Sequence, residues 1–288
     1  MTNCIYKTKL PNQKYGHLIP PEDSVMIDKD NEVFCVADGV TRDVGGTITD
    51  DKKDILIDYP NLSGARLAAD TFTCTFVDYL QTNNSLQALK TAFCKGNDKI
   101  RELNRQREID YIENDYYSCV ASGGIVLDQT LYWGAICDCG VAVFSESSEL
   151  KFKTPDYKKA FDEYEENEIK SSDFNWSMPE YRKIIRSEYR NNTEYKKSKE
   201  YESFGVLTGE QEAEEFMHFG KVNLGKNDLV LFYSDGFLDY FSRSDFFEVI
   251  NQDSASKIEQ SLIPYSMKLA KKNYKKYGKE RSIIVIKV

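Results

Sequence analysis

Histidine is nearly absent. His17 and His218 are the only two in 288 residues, so catalysis that needs several histidines is largely excluded. Cysteine is present in an odd number, seven, at positions 4, 35, 74, 94, 119, 137 and 139. Several lie inside apolar segments, and they read as buried free thiols of a reducing compartment, not as a disulfide framework. Cys137 and Cys139 have no second pair of like spacing, which argues against zinc. Positive charge is in deficit: 38 Lys and Arg against 47 Asp and Glu leave a formal net charge of -9. Such a chain repels a phosphate backbone, so nucleic acid is not the expected partner. Long apolar runs are missing too. None has the length to cross a bilayer, and the opening MTNCIYKTKLPNQ lacks the apolar stretch of a signal peptide. The expected location is cytoplasmic, with no membrane partner.

What is present is a succession of short apolar strands and amphipathic helices. SVMID at 24–28 and EVFCVA at 32–37 read as a hairpin. Residues 40–60 are polar, with Gly45-Gly46 and acids at Asp50, Asp51 and Asp54, and read as a loop. From Ser63, apolar positions recur at helical spacing through Leu80. A second helix, with Ser85 as N-cap, carries Leu86, Leu89, Phe93, Ile100 and Leu103. Strands return at 119–127 and 131–144. The core resumes at 204–208, 219–224 and 228–234, followed by helices at about 243–251 and 255–276 and a last strand, 282–288. These elements predict an α+β fold, a four-layer αββα sandwich of two mainly antiparallel sheets flanked by helices, in a single domain over residues 1–288. Residues 150–203, rich in Lys, Glu, Tyr and Asn, read as a charged, flap-like insertion outside the core.

The acids are the informative feature. Asp38 ends VFCVADG, Asp138 sits in the apolar strand LYWGAICDCG, and Asp235 and Asp239 follow the strand LVLFYS. A helix starting at Gly236 would turn Asp235 and Asp239 the same way. Glu22 and Asp23 precede the first hairpin strand. Carboxylates pooled at one rim of a sandwich repel each other unless a hard cation lies between them, and Mg²⁺ or Mn²⁺ prefer such oxygen ligands. Metal-assisted hydrolysis is the chemistry this arrangement suggests. Turn and capping roles are the plainer alternative for each acid taken singly.

Taken in order, the motifs resemble those of the metal-dependent Ser/Thr protein phosphatases of type 2C. The acidic pair Glu22-Asp23, the Asp38-Gly39 loop, the small-residue strand at Ser122-Gly123-Gly124, Cys137-Asp138-Cys139, GVLTGE at 205–210 and Ser234-Asp235-Gly236 through Asp239 span nearly the whole chain. The resemblance implies Mn²⁺ or Mg²⁺ as cofactor, two ions with a place for a third. Asp38 would bridge two ions, with Glu22 and the Gly39 carbonyl on one and Asp235 on the other. Asp138, Asp235 and Asp239 would hold the third, weaker ion. A water between the main ions would attack the phosphorus of a phosphorylated protein substrate in line.

Three positions depart from that pattern. Lys279 takes the place of a metal-ligating Asp, with Glu280 next door as an alternative ligand. Leu18 takes the place of a phosphate-holding Arg, with His17 beside it. No His lies between 18 and 217 to serve as general acid. Arg182, Arg186 and Arg190 recur every four residues and offer a basic stripe for substrate phosphate, or i,i+4 pairing with Glu. The departures leave a second expectation, a catalytically impaired, phosphatase-like binding or regulatory module in which Lys279 stands in for a metal ion.

Overall fold

A computed structural model describes residues 4–13, 16, 19–40, 60–112, 114–170, 178–198 and 203–288. His17, Leu18, the loop acids Asp50, Asp51 and Asp54, and Trp176 lie outside the described residues. The chain runs β1 (Cys4–Leu10), β2 (Ser24–Asp28), β3 (Val33–Gly39), α1 (Gly64–Thr82), α2 (Leu86–Asn104), β4 (Cys119–Leu127), β5 (Thr130–Ile136), β6 (Gly140–Phe144) and β7 (Leu150–Lys153). Short helices α3 (Lys159–Tyr164), α4 (Pro179–Ile184) and α5 (Thr193–Ser198) follow, then β8 (His218–Asn223) and β9 (Leu229–Tyr233). The chain closes with α6 (Phe246–Ile250), α7 (Ala255–Lys272), α8 (Tyr274–Tyr277) and β10 (Arg281–Lys287).

Alternation along the strands builds the layers. The sheets are ordered β1-β10-β9-β6-β7 and β2-β3-β4-β5-β8, and their strand pairs are antiparallel. In β3, Val33, Cys35 and Ala37 pack under α1 and α2, whereas Phe34 and Val36 face the other sheet. In β9, Leu229, Leu231 and Tyr233 face the layer of α6 and α7, whereas Val230 and Phe232 face inward. Phe34 stacks on Phe232 between the sheets, centroids 5.9 Å apart. The helices begin where the sequence marks them. The Ser63 hydroxyl accepts from the Arg66 amide at 3.1 Å, and the Ser85 hydroxyl accepts from the Ala88 amide at 3.0 Å. The expected αββα sandwich is thus present.

Three expectations are corrected. The run 131–144 is not one strand. It is β5 of one sheet and β6 of the other, separated at Cys137, whose φ of 65° turns the chain across. Residues 204–208 form only isolated bridges, Arg190 with Phe204 and Cys119 with Leu207. Residues 150–203 are not merely a solvated cover: β7 extends a sheet, and Phe161, Tyr181 and Ile185 join the core beside α1 and α2. β1, unmarked in the sequence by its lysines, pairs with β10 at a sheet edge. Cys35, Cys119, Cys137 and Cys139 are buried free thiols, as expected. Among the described residues, no helix is long and apolar enough to cross a membrane.

The segment that carries Arg186 and Arg190 is pinned by a buried ion pair. Asp115 is 3% exposed. Its carboxylate accepts from Arg190 Nη1 and Nη2 at 3.0 and 2.8 Å and lies 3.2 Å from Arg186 Nε. Burial alone would raise this carboxyl, but the Arg190 and Arg186 guanidinium groups outweigh it and hold it below its usual range. Asp115→Ala strands two buried cations. It is expected to lower unfolding free energy by about 3–5 kcal/mol, read from urea denaturation, with Asp115→Asn losing less.

Candidate metal centre at the sandwich end

The alternation that builds the inter-sheet core also delivers the polar groups at its end. Val25 and Ile27 of β2 and Phe34 and Val36 of β3 face between the sheets. Asp23 and Asp38 continue those two rows, one step beyond the Ser24–Ala37 pair. On the opposite sheet, Ser234 continues the row Val230, Phe232, and Ser282 precedes Ile284 and Ile286. The sheets are joined there: the Ser234 hydroxyl donates to Asp23 Oδ2 at 2.9 Å and accepts from the Ser282 amide at 2.8 Å.

Three further segments close on this point. Asp235 opens the 3₁₀ turn Asp235–Ser242 after β9. Asp138 lies in the crossover from β5 to β6. Lys279 and Glu280 immediately precede β10. Gly236 is what permits the last approach, because a Cβ there would stand 2.1 Å from the Glu280 carbonyl oxygen. Gly39 serves likewise, with the Glu22 and Ala65 carbonyl oxygens both 2.8 Å from where its Cβ would be.

Two cavities meet at these acids. One, about 220 Å³, is lined by Asp38, Asp138, Asp235 and Lys158, with walls from Val40, Val120, Phe161, Ile185, Phe204 and Val206, and with Arg186 and Arg190 at its edge. The other, about 320 Å³, is lined by Asp38, Gly39, Asp235, Lys279, Glu280 and Asn12. Asp38 and Asp235 belong to both.

The electrostatics show the acids acting on one another. Burial, then the charges of Asp23, Asp235, Asp138 and Glu280, push the Asp38 carboxyl far above the carboxylate range. Burial and then Asp235 raise Asp138 to about 6, with Lys158 opposing. Asp23 is raised to about 6, chiefly by burial and against the hydrogen bonds it accepts. Burial and then Asp23 raise Glu280 to about 8. Lys279 is shifted upward, first by the charge of Asp235, to which its ammonium is bonded at 2.7 Å.

Asp38, Gly39, Asp138, Asp235 and Glu280 are therefore brought together, and the other candidates are engaged by other partners. The Glu22 carboxylate accepts from the Ser63 hydroxyl, although its carbonyl approaches Gly39. Asp239 does not share a face with Asp235. The segment is 3₁₀, which rotates residues four apart away from each other, and Asp239 lies 3.3 Å from Lys276. Arg182, Arg186 and Arg190 form no exposed stripe: all three are buried, and the last two answer Asp115. His218 is stacked on Tyr157 at 3.6 Å, and burial lowers it to about 4. Sequence reasoning named Asp23 and Ser234 within motifs but gave them no role, and it passed over Lys158. The parity of Asp23 with Val25 and Ile27 was a usable signal; nothing local marks Lys158.

The donor set suits a hard cation in kind. It is all oxygen, and Asp23 Oδ1, buried between the sheets, has no hydrogen-bond partner. It is not drawn into a closed shell: among the described residues, no three His, Cys, Asp or Glu side chains stand as a ready-made ligand group. Lys279 on Asp235, and the Asp23 amide donating to Glu280 at 2.9 Å, occupy part of that capacity.

No protein-family profile matches the chain, and no curated protein matches it in sequence. Solved structures do. The Mycobacterium tuberculosis serine/threonine phosphatase PstP/Ppp superposes with a TM-score of 0.62 at 14% identity, covering 100% of this chain and 99% of that one. The catalytic domain of the phosphatase PstP in complex with two manganese ions gives 0.56 at 13% identity, over 98% and 96% of the two chains. The PPM Ser-Thr phosphatase MsPP from Mycobacterium smegmatis, in complex with cacodylate, gives 0.56 at 13%, over 99% and 98%. At such identities the likeness establishes the fold, which this chain shares along its whole length.

The raised acids have a measurable consequence. A carboxyl whose folded value exceeds its unfolded one holds extra protons in the folded state. Its stabilisation is complete below the unfolded value and is lost as pH rises through the folded one. For Asp138 that window runs from about 4 to about 6. In EDTA, the melting temperature of Asp138→Asn is expected to gain on that of the wild type as pH rises from 4 to 7. A difference that stays constant with pH would contradict the coupling.

Proposed function

We propose that the protein is a divalent-cation-dependent phosphoserine/phosphothreonine protein phosphatase. The carrying observation is the convergence of Asp38, Asp138 and Asp235 on one cavity at the end of a phosphatase-type sandwich. Bound Mn²⁺ or Mg²⁺ would supply Lewis acidity and a water of lowered pKa. The side chains to hold it are Asp38, Asp138, Asp235 and Glu280, with the Gly39 carbonyl beside them. Asp38 and Asp235 are the central pair because both reach both cavities.

The remaining residues take supporting roles in this reading. The Asp23–Ser234 bond fixes the two sheets at the level of the acids. The Lys158 ammonium, 2.8 Å from Asp162, lines the same cavity as Asp138. It offers a dianionic phosphate a cation at a centre otherwise strongly negative. Val40, Phe161, Ile185 and Phe204 wall the cavity with apolar surface, which limits water beside the reacting phosphorus and strengthens each charge interaction there. A phosphoryl group on a protein side chain suits an open cavity of this size. The flap supplies its outer wall through Phe161 and Ile185.

The test is phosphate release from p-nitrophenyl phosphate and from phosphoserine and phosphothreonine peptides, with Mn²⁺ titrated. Activity is expected to need Mn²⁺ and to vanish in EDTA. Asp38→Asn should lose more than the ~10–100-fold typical of residues behind a ligand. Wild type and Asp38→Asn equally inert at every Mn²⁺ concentration would overturn the catalytic reading and leave a phosphatase-like binding module.

A further inference from the structure

One group in the acidic cluster carries the opposite charge and is held there by its neighbours. Lys279 Nζ lies 2.7 Å from Asp235 Oδ2 and lines the same cavity as Asp38 and Glu280. A lysine this exposed, 54% at its side chain, would ordinarily form a weak and mobile pair. Here the backbone is fixed on both sides. The Lys279 carbonyl accepts from Arg281 Nη1 at 2.6 Å, and Arg281 is fully buried, its Nε bonded to Ser266 Oγ at 2.8 Å. Glu280 is tied by Oε1 to the Asp23 amide at 2.9 Å. Gly236 lets the Asp235 turn lie directly against this segment. The ammonium is thus aimed at Asp235 from a rigid support, within a cluster whose other members are carboxyl groups.

A divalent ion at Asp235 and a protonated lysine on the same carboxylate compete for the same oxygens and the same charge. Resting on the metal-dependent reading above, we propose that Lys279 is a resident counter-ion for Asp235. It fills the place a second divalent cation would take, so that the protein holds one Mn²⁺ on the Asp38 side, not two. The replacement is balanced in kind: an ammonium supplies one positive charge and three donors, needs no dehydration of a hard cation, and is not removed by a chelator.

The measurement is Mn²⁺ stoichiometry by isothermal titration calorimetry, cross-checked by counting free Mn²⁺ with electron paramagnetic resonance. It uses the full chain as wild type, Lys279→Arg, Lys279→Met, Lys279→Asp and Asp38→Asn, each confirmed as folded by circular dichroism. Lys279→Met and Lys279→Asp are expected to bind one ion more per chain than wild type, and Lys279→Arg, which keeps the cation, the same number as wild type. Equal stoichiometry in all four Lys279 forms, with binding still abolished by Asp38→Asn, would overturn the counter-ion role and leave the metal-dependent reading standing. Absence of Asp38-dependent Mn²⁺ binding in every protein would remove both.

Discussion

Like charges forced together in a dry place are the constraint on which this molecule turns. Two carboxylates 4 Å apart repel by roughly 4 kcal/mol at an effective dielectric of 20, and several acids are gathered at the end of the inter-sheet core. Their proximity follows from packing. The rows that bury Phe34, Val36, Val230 and Phe232 continue without interruption into Asp38 and Ser234. The fold cannot bury the core in this register without presenting the acids to one another. A sandwich stabilised by its interior thus carries an electrostatic load at one end, part of which the Lys279 ammonium relieves.

The molecule answers that load by different means at different acids. Asp23 is met by hydrogen bonds from the facing sheet, Asp235 by an ammonium, and Glu280 by a backbone amide. Asp38 is buried and is met by the like charges of Asp23, Asp235, Asp138 and Glu280. That difference singles out Asp38 as the acid with most to gain from a divalent ion. The acidic end is also not left open to solvent on all sides, because Arg186 and Arg190, which line the same cavity as the acids, are anchored on Asp115. These arginines are thereby committed to holding the wall in place, and Lys158 lines the same cavity as Asp138.

Much of this was legible in the sequence, and what was not had physical reasons. Apolar alternation ending in Asp-Gly marked Asp38 and Asp235, and Ser85 marked the start of α2. The crossover at Cys137 was hidden because β5 and β6 are apolar on either side of it and Asp138, its one charged residue, reads as a site residue carried within a single strand. The separation of Asp239 from Asp235 depends on a 3₁₀ turn, which residue spacing does not distinguish from an α-helix. Arg186 and Arg190 read as part of a surface stripe because their partner, Asp115, lies far off in sequence, 75 residues from Arg190. Lys279 was visible as an oddity, but only the structure shows it bonded to Asp235.

The most direct test of the central claim is a crystal of the protein soaked in Mn²⁺ and measured above the manganese absorption edge. The account predicts an anomalous peak within coordination distance of Asp38, with oxygen ligands from Asp138, Asp235 or Glu280. A fully ordered acidic end with no such peak, or manganese bound only elsewhere on the molecule, would contradict it.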